Sequence, residues 1–499
     1  MSESLALLKE ALGKGADPVA LAKATFQQAS SPTTGLTNYD LEAAAKNLYP
    51  VLTPLRNEIA RVTDGTGTQA NWRGVTAINP TWVNPGVGEG QRGGLGQVAT
   101  QDFFAVYKTL GQDNSLTDEA VLAAAGFDDL MARVVKTLLQ MVMISEEQVI
   151  LGSNASYTLP TTPTPTLAAS ATGGTIGASA VVSVICVALT YDGVLNSPAP
   201  NTALTAGMGI SQSVTRTNTD GTTFSYNAGS AAKSASASVT VSAGTTNSVL
   251  ASVNPVQGAY GYAWYAGPAG SELFAGCTRI SQFAITALPS GTQAASALTT
   301  GNFSNNQSVH DGLLGFAGNP SNNSYFYAAQ PGVGLTADGD GGIVEFDNLL
   351  QYMWDKLRLS PDVMVVSSQE MVWIRKKILN GQNGSQSTRF MFDAKQGAIV
   401  GGGMPKGYLN PFSMSGGPSE IPIMLHPNMV PGTVMFLTKT LPYPMNNIDA
   451  VMRIKCRRDY YQVTWPKTSR TQFYGVYSDQ VLQHYFTPSI GVITNLSPV

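Results

Sequence analysis

The spacing of apolar and polar residues changes character several times along this chain. Residues 4–28 carry a weakly amphipathic helical pattern through Leu5, Leu8, Leu12 and Leu21, broken at Gly13, Gly15 and Pro18. Asp40 to Leu48 predicts a second helix, stopped by Pro50 and Pro54. An extended stretch follows (TQANWRGVTAIN, 68–79), then a Gly/Pro-rich apex (NPGVGEGQRGGLGQ, 84–97) and a returning strand (VATQDFFAVYKTL, 98–110). Together these predict a long hairpin with a flexible tip. Ser115 with Asp118 reads as a capping pair for a helical stretch running to Gly152, with Gly126 as a break. Leu130, Val134, Leu138, Met141 and Val149 recur at helical spacing. A continuous helix from Phe127 to Leu151 would be a rod of about 38 Å.

The pattern then turns to β. Ala180 to Tyr191 (AVVSVICVALTY) is a β-branched run closed by Asp192-Gly193, a hairpin-turn signal that recurs at Asp220-Gly221. Ser234 to Ser242 alternates small polar and small apolar residues, and Gly258 to Gly267 (GAYGYAWYAG) and Ser281 to Leu288 follow. Trp264 is the candidate core indole of a β-sandwich. Residues 158–166 (TLPTTPTPT) and 302–308 (NFSNNQS) read as linkers flanking it. Downstream, Val344 to Leu357 predicts an amphipathic helix, Pro361 to Ser367 a buried strand and Ser368 to Leu379 another helix. This block continues through Gly401 to Gly403 to about residue 450, and Met452 to Asn495 is strand-rich.

Charge sharpens that division. Only 12% of the 499 residues are charged, against about 25% in an average domain. Residues 153–309 hold Asp192, Arg216, Asp220, Lys233, Glu272 and Arg279, 6 charges in 157 positions, whereas the other 342 positions hold 55. The middle segment is therefore a different kind of sequence, joined into a body of ordinary composition. A length of 499 residues suggests about three domains. The 43% of apolar residues is enough for real cores, and no apolar run approaches the roughly 20 residues that span a bilayer. Residues 1–30 lack the basic start and long apolar core of a signal peptide. A net charge of −3 gives no basic excess for gripping nucleic acid. Cys186, Cys277 and Cys456 are odd in number and far apart, which fits neither a disulfide framework nor a zinc site and suits a reducing compartment.

No catalytic, cofactor-binding or metal-ligating residue is singled out. His310, His426 and His484 are isolated, and read as surface or packing residues. Gly86, Gly88, Gly90 and Gly93 lack the strand–helix context of a nucleotide loop, so a hairpin tip explains them. Asp338-Gly-Asp340-Gly-Gly lacks the remaining ligands of a calcium loop and reads as a turn. Arg457 and Arg458 beside Tyr460 and Tyr461 could stack on nucleic acid. The alternation of Arg453, Lys455 and Arg457 with Ile454 and Cys456 favours a strand with one polar face. The pairs Asp128-Asp129 and Glu146-Glu147 read as capping or solvated carboxylates.

The order of parts resembles the major capsid proteins of tailed bacteriophages, most specifically over 98–152 and 360–495, including PDVMVVSSQEMVWIRKKI and VYSDQVLQHYFTPSIGVITNL. The resemblance implies an α+β capsid fold carrying an inserted all-β, immunoglobulin-like sandwich. Its parts would be an N-terminal arm (1–66), an extended hairpin loop (67–112), a spine helix of a peripheral domain (113–158) and the insert (159–309). A peripheral connection (310–345), an axial domain (346–450) and C-terminal strands completing the peripheral domain (451–499) would follow. It also implies self-assembly into hexamers and pentamers of an icosahedral head around double-stranded DNA, in a virion assembled in the host cytoplasm. It implies portal and possible scaffold or decoration partners, no cofactor, no membrane and no enzymatic activity. The arm begins almost at Met1, so any scaffold is expected to be a separate protein. The insert is expected to project outward and to be dispensable for assembly. Two rival readings are a nanocompartment shell of the same fold and a secreted adhesin or enzyme with an immunoglobulin-like module.

Overall fold

The computed structural model describes residues 49–78, 83–124, 129–218, 220–339, 341–380, 405–413, 419–467 and 469–498. The helices expected over 4–28 and 40–48, the glycines 401–403, and Gly126, Phe127, Asp128 and Asp340 lie outside them. Two compact units are distinguished, one holding Thr117–Ala132 and the other Val51–Leu116 with Arg133–Val499.

Pro54 opens a short helix α1 (Pro54–Glu58), its ring suited to a first helical turn. Strand β1 (Ala60–Val62) follows, then the expected hairpin of β2 (Gln69–Ile78) and β3 (Val98–Val106). These pair antiparallel from Gln69↔Val106 to Ile78↔Val98, with a bulge between Val75 and Ala77. The return does not end there. After Tyr107 the chain continues as β4 (Lys108–Thr117), where the sequence predicted a helix start. The stretch GQDNS is a poor strand former by propensity, but its residues are used tertiarily. A Cβ at Gly111 would fall 2.0 Å from the Tyr477 ring, and the Tyr477 hydroxyl donates to Asp113 at 2.5 Å. The helix cap is consequently Thr117, not Ser115: its hydroxyl accepts from Ala120 N at the start of α2 (Asp118–Ala123). The long helix α3 runs from Leu130 to Gly152, 23 residues or about 34 Å. Asp129 caps it, accepting from the Met131 and Ala132 amides.

The insert contributes β5 (Thr166–Ser170), β6 (Val181–Leu189), a one-turn helix α4 (Tyr191–Leu195), and a two-stranded ribbon β7 (Ser213–Thr217) and β8 (Thr223–Asn227). Strands β9 (Ala237–Thr240), β10 (Ser248–Ser252), β11 (Gly261–Gly267), β12 (Leu273–Thr278) and β13 (Gln282–Ile285) complete it. Asp192-Gly193 is not a hairpin turn. Thr190 caps α4 by accepting from Gly193 N, and Gly193 lies so close to the Gly229 carbonyl that a Cβ would sit 2.4 Å from it. Asp220-Gly221 does lie in the β7–β8 connection, with Gly221 at φ +83°.

Two sheets result, β13-β10-β5 and β12-β11-β6-β9. Between them Val182, Val184, Cys186 and Ala266 pack against Val249, Ala251 and Ile285, around a fully buried Trp264. The indole donates to Thr278 Oγ1 at 2.8 Å, which satisfies its one polar atom.

The body begins with α5 (Leu313–Gly318) and β14 (Tyr325–Ala328), then α6 (Val344–Tyr352), which continues as one π-turn to Leu357. Next come β15 (Val363–Val366), α7 (Ser368–Asn380), β16 (Gly407–Leu409), β17 (Glu420–Leu425), β18 (Val434–Leu437), β19 (Met452–Thr464), β20 (Thr471–His484) and β21 (Ile490–Thr494). Six of these strands form a mixed sheet in the order β14-β21-β18-β15-β17-β16. Its central strands are buried on both sides, which is why they read as continuous apolar runs. Met364, Val366, Phe436 and Ile493 meet Phe346 and Leu349 of α6 and Ile374 of α7 on one face. Val363, Val365, Met435 and Val492 enter a second core on the other. The last strand, β21, belongs to this sheet, whereas β19 and β20 pair with β1 and β4 in a four-stranded sheet.

That second core changes the picture of the insert. It also takes Ile185, Val187, Ala263, Tyr265 and Phe274, the outer face of the β6–β11–β12 sheet. The long run of β6 is thus a strand buried on both faces, and the insert is fused to the body. The segments read as linkers are packed: Leu159 and Thr162 are buried, and Asn302 Nδ2 donates to the Leu159 carbonyl at 2.7 Å. The Tyr260 hydroxyl donates to the Leu314 carbonyl at 2.8 Å, and the Asn495 amide donates to Ser281 Oγ at 2.8 Å. The segment is therefore not a free-standing module held on loose linkers. Deleting residues 160–307 strips one wall from the body core, and the product is expected to be insoluble or molten by circular dichroism.

Asp192 sits at the junction, accepting from Ser153 Oγ at 2.9 Å and Asn154 N at 3.1 Å. Burial pushes its carboxyl up to about 6, against its two hydrogen bonds. A carboxyl raised above its unfolded value of about 3.9 binds its proton more tightly when folded. Its contribution to stability is therefore present near pH 4 and lost as pH rises through 6. Thermal melts between pH 4 and 7 should show this component, and Asp192→Asn should remove it.

Candidate functional site

The site with the most concentrated chemistry is where α3 ends. Glu146 and Glu147 follow an apolar stretch and are followed by another (MVMISEEQVILG), and both are buried, 1% and 0% exposed. Neither is solvated at a helix surface, as the sequence reading had them. Glu146 accepts from Arg56 Nε at 3.1 Å and Gln480 Nε2 at 2.8 Å, and also from Arg61 Nη1 and the Tyr460 hydroxyl. Arg61 donates in turn to Asp459 at 2.5 Å and Gln480 Oε1 at 3.0 Å. The Tyr460 ring lies under both guanidiniums, 5.2 Å from Arg56 and 4.6 Å from Arg61. Burial opposes the charge on Arg61, and the Asp459 and Glu146 carboxylates overcome it, so its proton is held more firmly than usual. Burial first, and then Glu146, raises the Tyr460 phenol.

Glu147 turns the other way. It accepts from the Leu55 and Arg56 amides at 2.9 and 2.8 Å, the free N–H groups at the start of α1. Thr53, at the cap position, makes no side-chain cap bond, so a carboxylate 91 residues away caps this helix instead. The other partner is His426, whose Nε2 donates to Glu147 at 2.6 Å while its Nδ1 accepts from Asn428 N at 3.2 Å. The ring therefore carries its hydrogen on Nε2.

These bonds fix the root of the β2–β3 hairpin. The chain leaves α1 and β1, passes Gly65, whose amide donates to the Cys456 carbonyl at 3.0 Å, and enters β2. Arg457 donates to the Gly67 carbonyl at 3.0 Å, with its guanidinium 5.2 Å from the Tyr107 ring. Trp72 stacks on Phe103 at 5.8 Å and meets Tyr485 edge-on. Beyond this root the ribbon has no core. Ile78 is 74% and Phe104 68% exposed, and Val75, Val87, Leu95 and Val98 are exposed as well. Arg73 and Asp102, opposed in register, pair at 2.5 Å across its open face.

The other sequence candidates fall as follows. All three histidines are buried, so none is a surface residue. Asp338 accepts from the Gly341 and Gly342 amides at 3.0 and 2.8 Å, a turn closed on itself. Arg453, Lys455 and Arg457 alternate with buried Ile454 and Cys456 on β19, as expected. Gly86, Gly88, Gly90 and Gly93 lie at the exposed hairpin tip. Among the described residues no group of three or more His, Cys, Asp or Glu is placed to hold a metal. Among the same residues no helix is long and apolar enough to cross a membrane. Arg56 and Arg61 were not singled out, and His426 was read only as a surface or packing residue. The signal that was present is two acids embedded in apolar sequence on both sides, which favours burial with partners over solvation.

No family model and no curated protein matches the chain. Among solved structures it is similar to a native GTA particle capsid, at 9% identity over 93% of this chain and 96% of that one, with a TM-score of 0.39. It is also similar to the capsid of Myoviridae phage XM1, at 9% identity, 91% and 95% coverage and a TM-score of 0.38. The mature capsid of bacteriophage PhiM1 matches at 8% identity, 97% and 100% coverage and a TM-score of 0.37. At these identities and scores the functional reading rests on the chain's own geometry.

Glu146→Gln keeps the shape of the side chain but leaves two guanidiniums without their shared counter-charge. Unfolding stability in urea is expected to fall by about 3 kcal/mol, the typical loss on breaking a buried pair from one side.

Proposed function

We propose that this chain is a structural, non-enzymatic shell protein: the major capsid protein of a tailed bacteriophage, enclosing double-stranded DNA. The observation that carries this reading is the hairpin, two strands of ten and nine residues on which Val75, Ile78, Val98 and Phe104 face solvent while their root is locked by buried ion pairs. A two-stranded ribbon is at best marginally stable alone. Exposed apolar surface of this kind marks a protein contact, here the neighbouring subunits on which the ribbon lies. Identical arms reaching from each subunit to the next make heterologous contacts, which close into rings. In this reading those rings are hexamers and pentamers of an icosahedral head.

Residues 67–112 are then the extended loop, 113–158 hold the spine helix, and 346–450 form the axial domain. The sheet of β19 and β20 is peripheral. The insert at 159–309 is an immunoglobulin-like module, and 1–66 is the arm. Portal, scaffold and decoration proteins are the further partners, and the virion is the location.

Sedimentation and negative-stain microscopy of the purified protein test the proposal. Megadalton shells are expected, and a stable monomer of about 52 kDa under all conditions overturns it.

A further inference from the structure

Beneath the root of the hairpin lies a cleft of about 810 Å³, a size typical of small-molecule sites. Trp72, Phe103 and Ala105 form its hairpin wall, and Phe316, Tyr485 and Phe486 lie opposite. The walls meet where the Trp72 ring lies edge-on to Tyr485, and where Ala70 and Tyr107 pack with Val481. The cleft is the space left open beside these contacts. Apolar walls facing each other across such a gap gain by excluding water, either by closing or by taking an apolar guest. Closure is opposed on the hairpin side, because the ion pairs of Glu146 with Arg56 and Arg61 fix where the ribbon leaves the body.

The lining decides what such a guest must be. Its charged side chains are already engaged: Lys108 donates to the Gln307 carbonyl, and Asp311 accepts from the Ala155 and Ser156 amides. His310 and His484 lie deeper, and their unpartnered nitrogens are sealed, so neither bonds a guest. Burial holds both rings neutral at pH 7, that of His484 pushed down to about 3. Among the described residues that line the cleft, an anion therefore finds no free cation and a cation no free carboxylate. The aromatic faces that could hold a cation are taken as well, since Trp72 stacks on Phe103 and Arg453 lies 5.1 Å over the Tyr485 ring. What the rim offers is neutral hydrogen bonding, from the exposed carboxamides of Gln101, Gln307 and Asn323.

We propose that the cleft is a binding site for an uncharged amphiphilic small molecule, with a ring-bearing apolar body and a polar end. The rings lie between Phe103 on one wall and Phe316 and Phe486 on the other, and the polar end meets the rim amides. The guest supplies the core that the hairpin lacks. It joins a two-stranded ribbon, marginal by itself, to the body through one shared apolar layer. Binding is thereby coupled to the hairpin: a guest that needs both walls favours the conformation in which they face each other. The site lies within one chain and does not depend on the shell reading.

Dye titration of the full chain as purified, in shells or as single chains, tests the site. Nile red, an uncharged ring dye with a polar end, should bind with blue-shifted emission and saturate at one site per chain. Anionic anilinonaphthalene sulfonate and cationic thioflavin T should bind about tenfold more weakly or worse. Ser321→Trp on the body side and Gln101→Trp on the hairpin side each fill part of the cleft, and each should weaken Nile red about tenfold. Ile78→Ser alters exposed apolar surface outside the cleft and should leave binding unchanged. Hydrogen exchange at the amides of 69–76 and 101–106 should slow when Nile red binds. Binding that does not saturate, equal binding to the two tryptophan variants, or unchanged exchange overturns the site. Equal binding of either charged dye overturns the uncharged class. Binding to single chains but not to shells means that a neighbouring copy fills the cleft, which overturns the proposal too.

Discussion

Two adjacent carboxylates at the end of one helix set the frame on which the rest of this chain hangs. Successive helix positions point about 100° apart, so Glu146 and Glu147 serve different partners from the same turn. Glu146 gathers Arg56, Arg61, Tyr460 and Gln480, and Glu147 caps α1 and holds His426. Segments near residues 55–61, 426 and 456–480 are thereby tied to α3. Charges are tolerated at such depth only when every lone pair and proton finds a partner, and here the groups share theirs closely. The hairpin leaves from this knot, so its direction is set by the long helix together with the few contacts at its root, Trp72 on Tyr485 and Arg457 on the Gly67 carbonyl.

Elements whose pattern is local were readable from the sequence. The hairpin, the buried strand β15, the helices α6 and α7, and the core role of Trp264 all follow from periodicity and turn residues. What escaped depended on partners far along the chain. β4 exists because β20 recruits a polar stretch that would not form a strand unaided. Asp192-Gly193 became a helix turn because Thr190 caps it and Gly229 crowds it. The Glu146-Glu147 pair looks like ordinary surface charge until Arg56 and Arg61, some 85 to 90 residues earlier, are seen to meet it.

The charge-poor middle segment also has a fuller explanation. Hydroxyl-rich, uncharged sequence suits a soluble surface, but here it also suits a sheet with no wet face. A charged side chain on β6 or β11 would have to be buried on one side or the other, and the two charged groups nearest their junction with the body, Asp192 and Arg279, both have their ionisation opposed by burial.

That shared sheet has a consequence for how the molecule comes apart and how it can change over time. Because β6, β11 and β12 wall two cores at once, neither core can melt while the other survives, and the two are expected to behave as one cooperative unit. Drift in sequence should meet the same barrier. Substitutions on those strands must satisfy two packings together, whereas the β7–β8 ribbon, which lines neither core with its strands, is free to vary. Whatever diversity relatives of this chain display outwardly should therefore gather on that ribbon, above a sheet that stays the same.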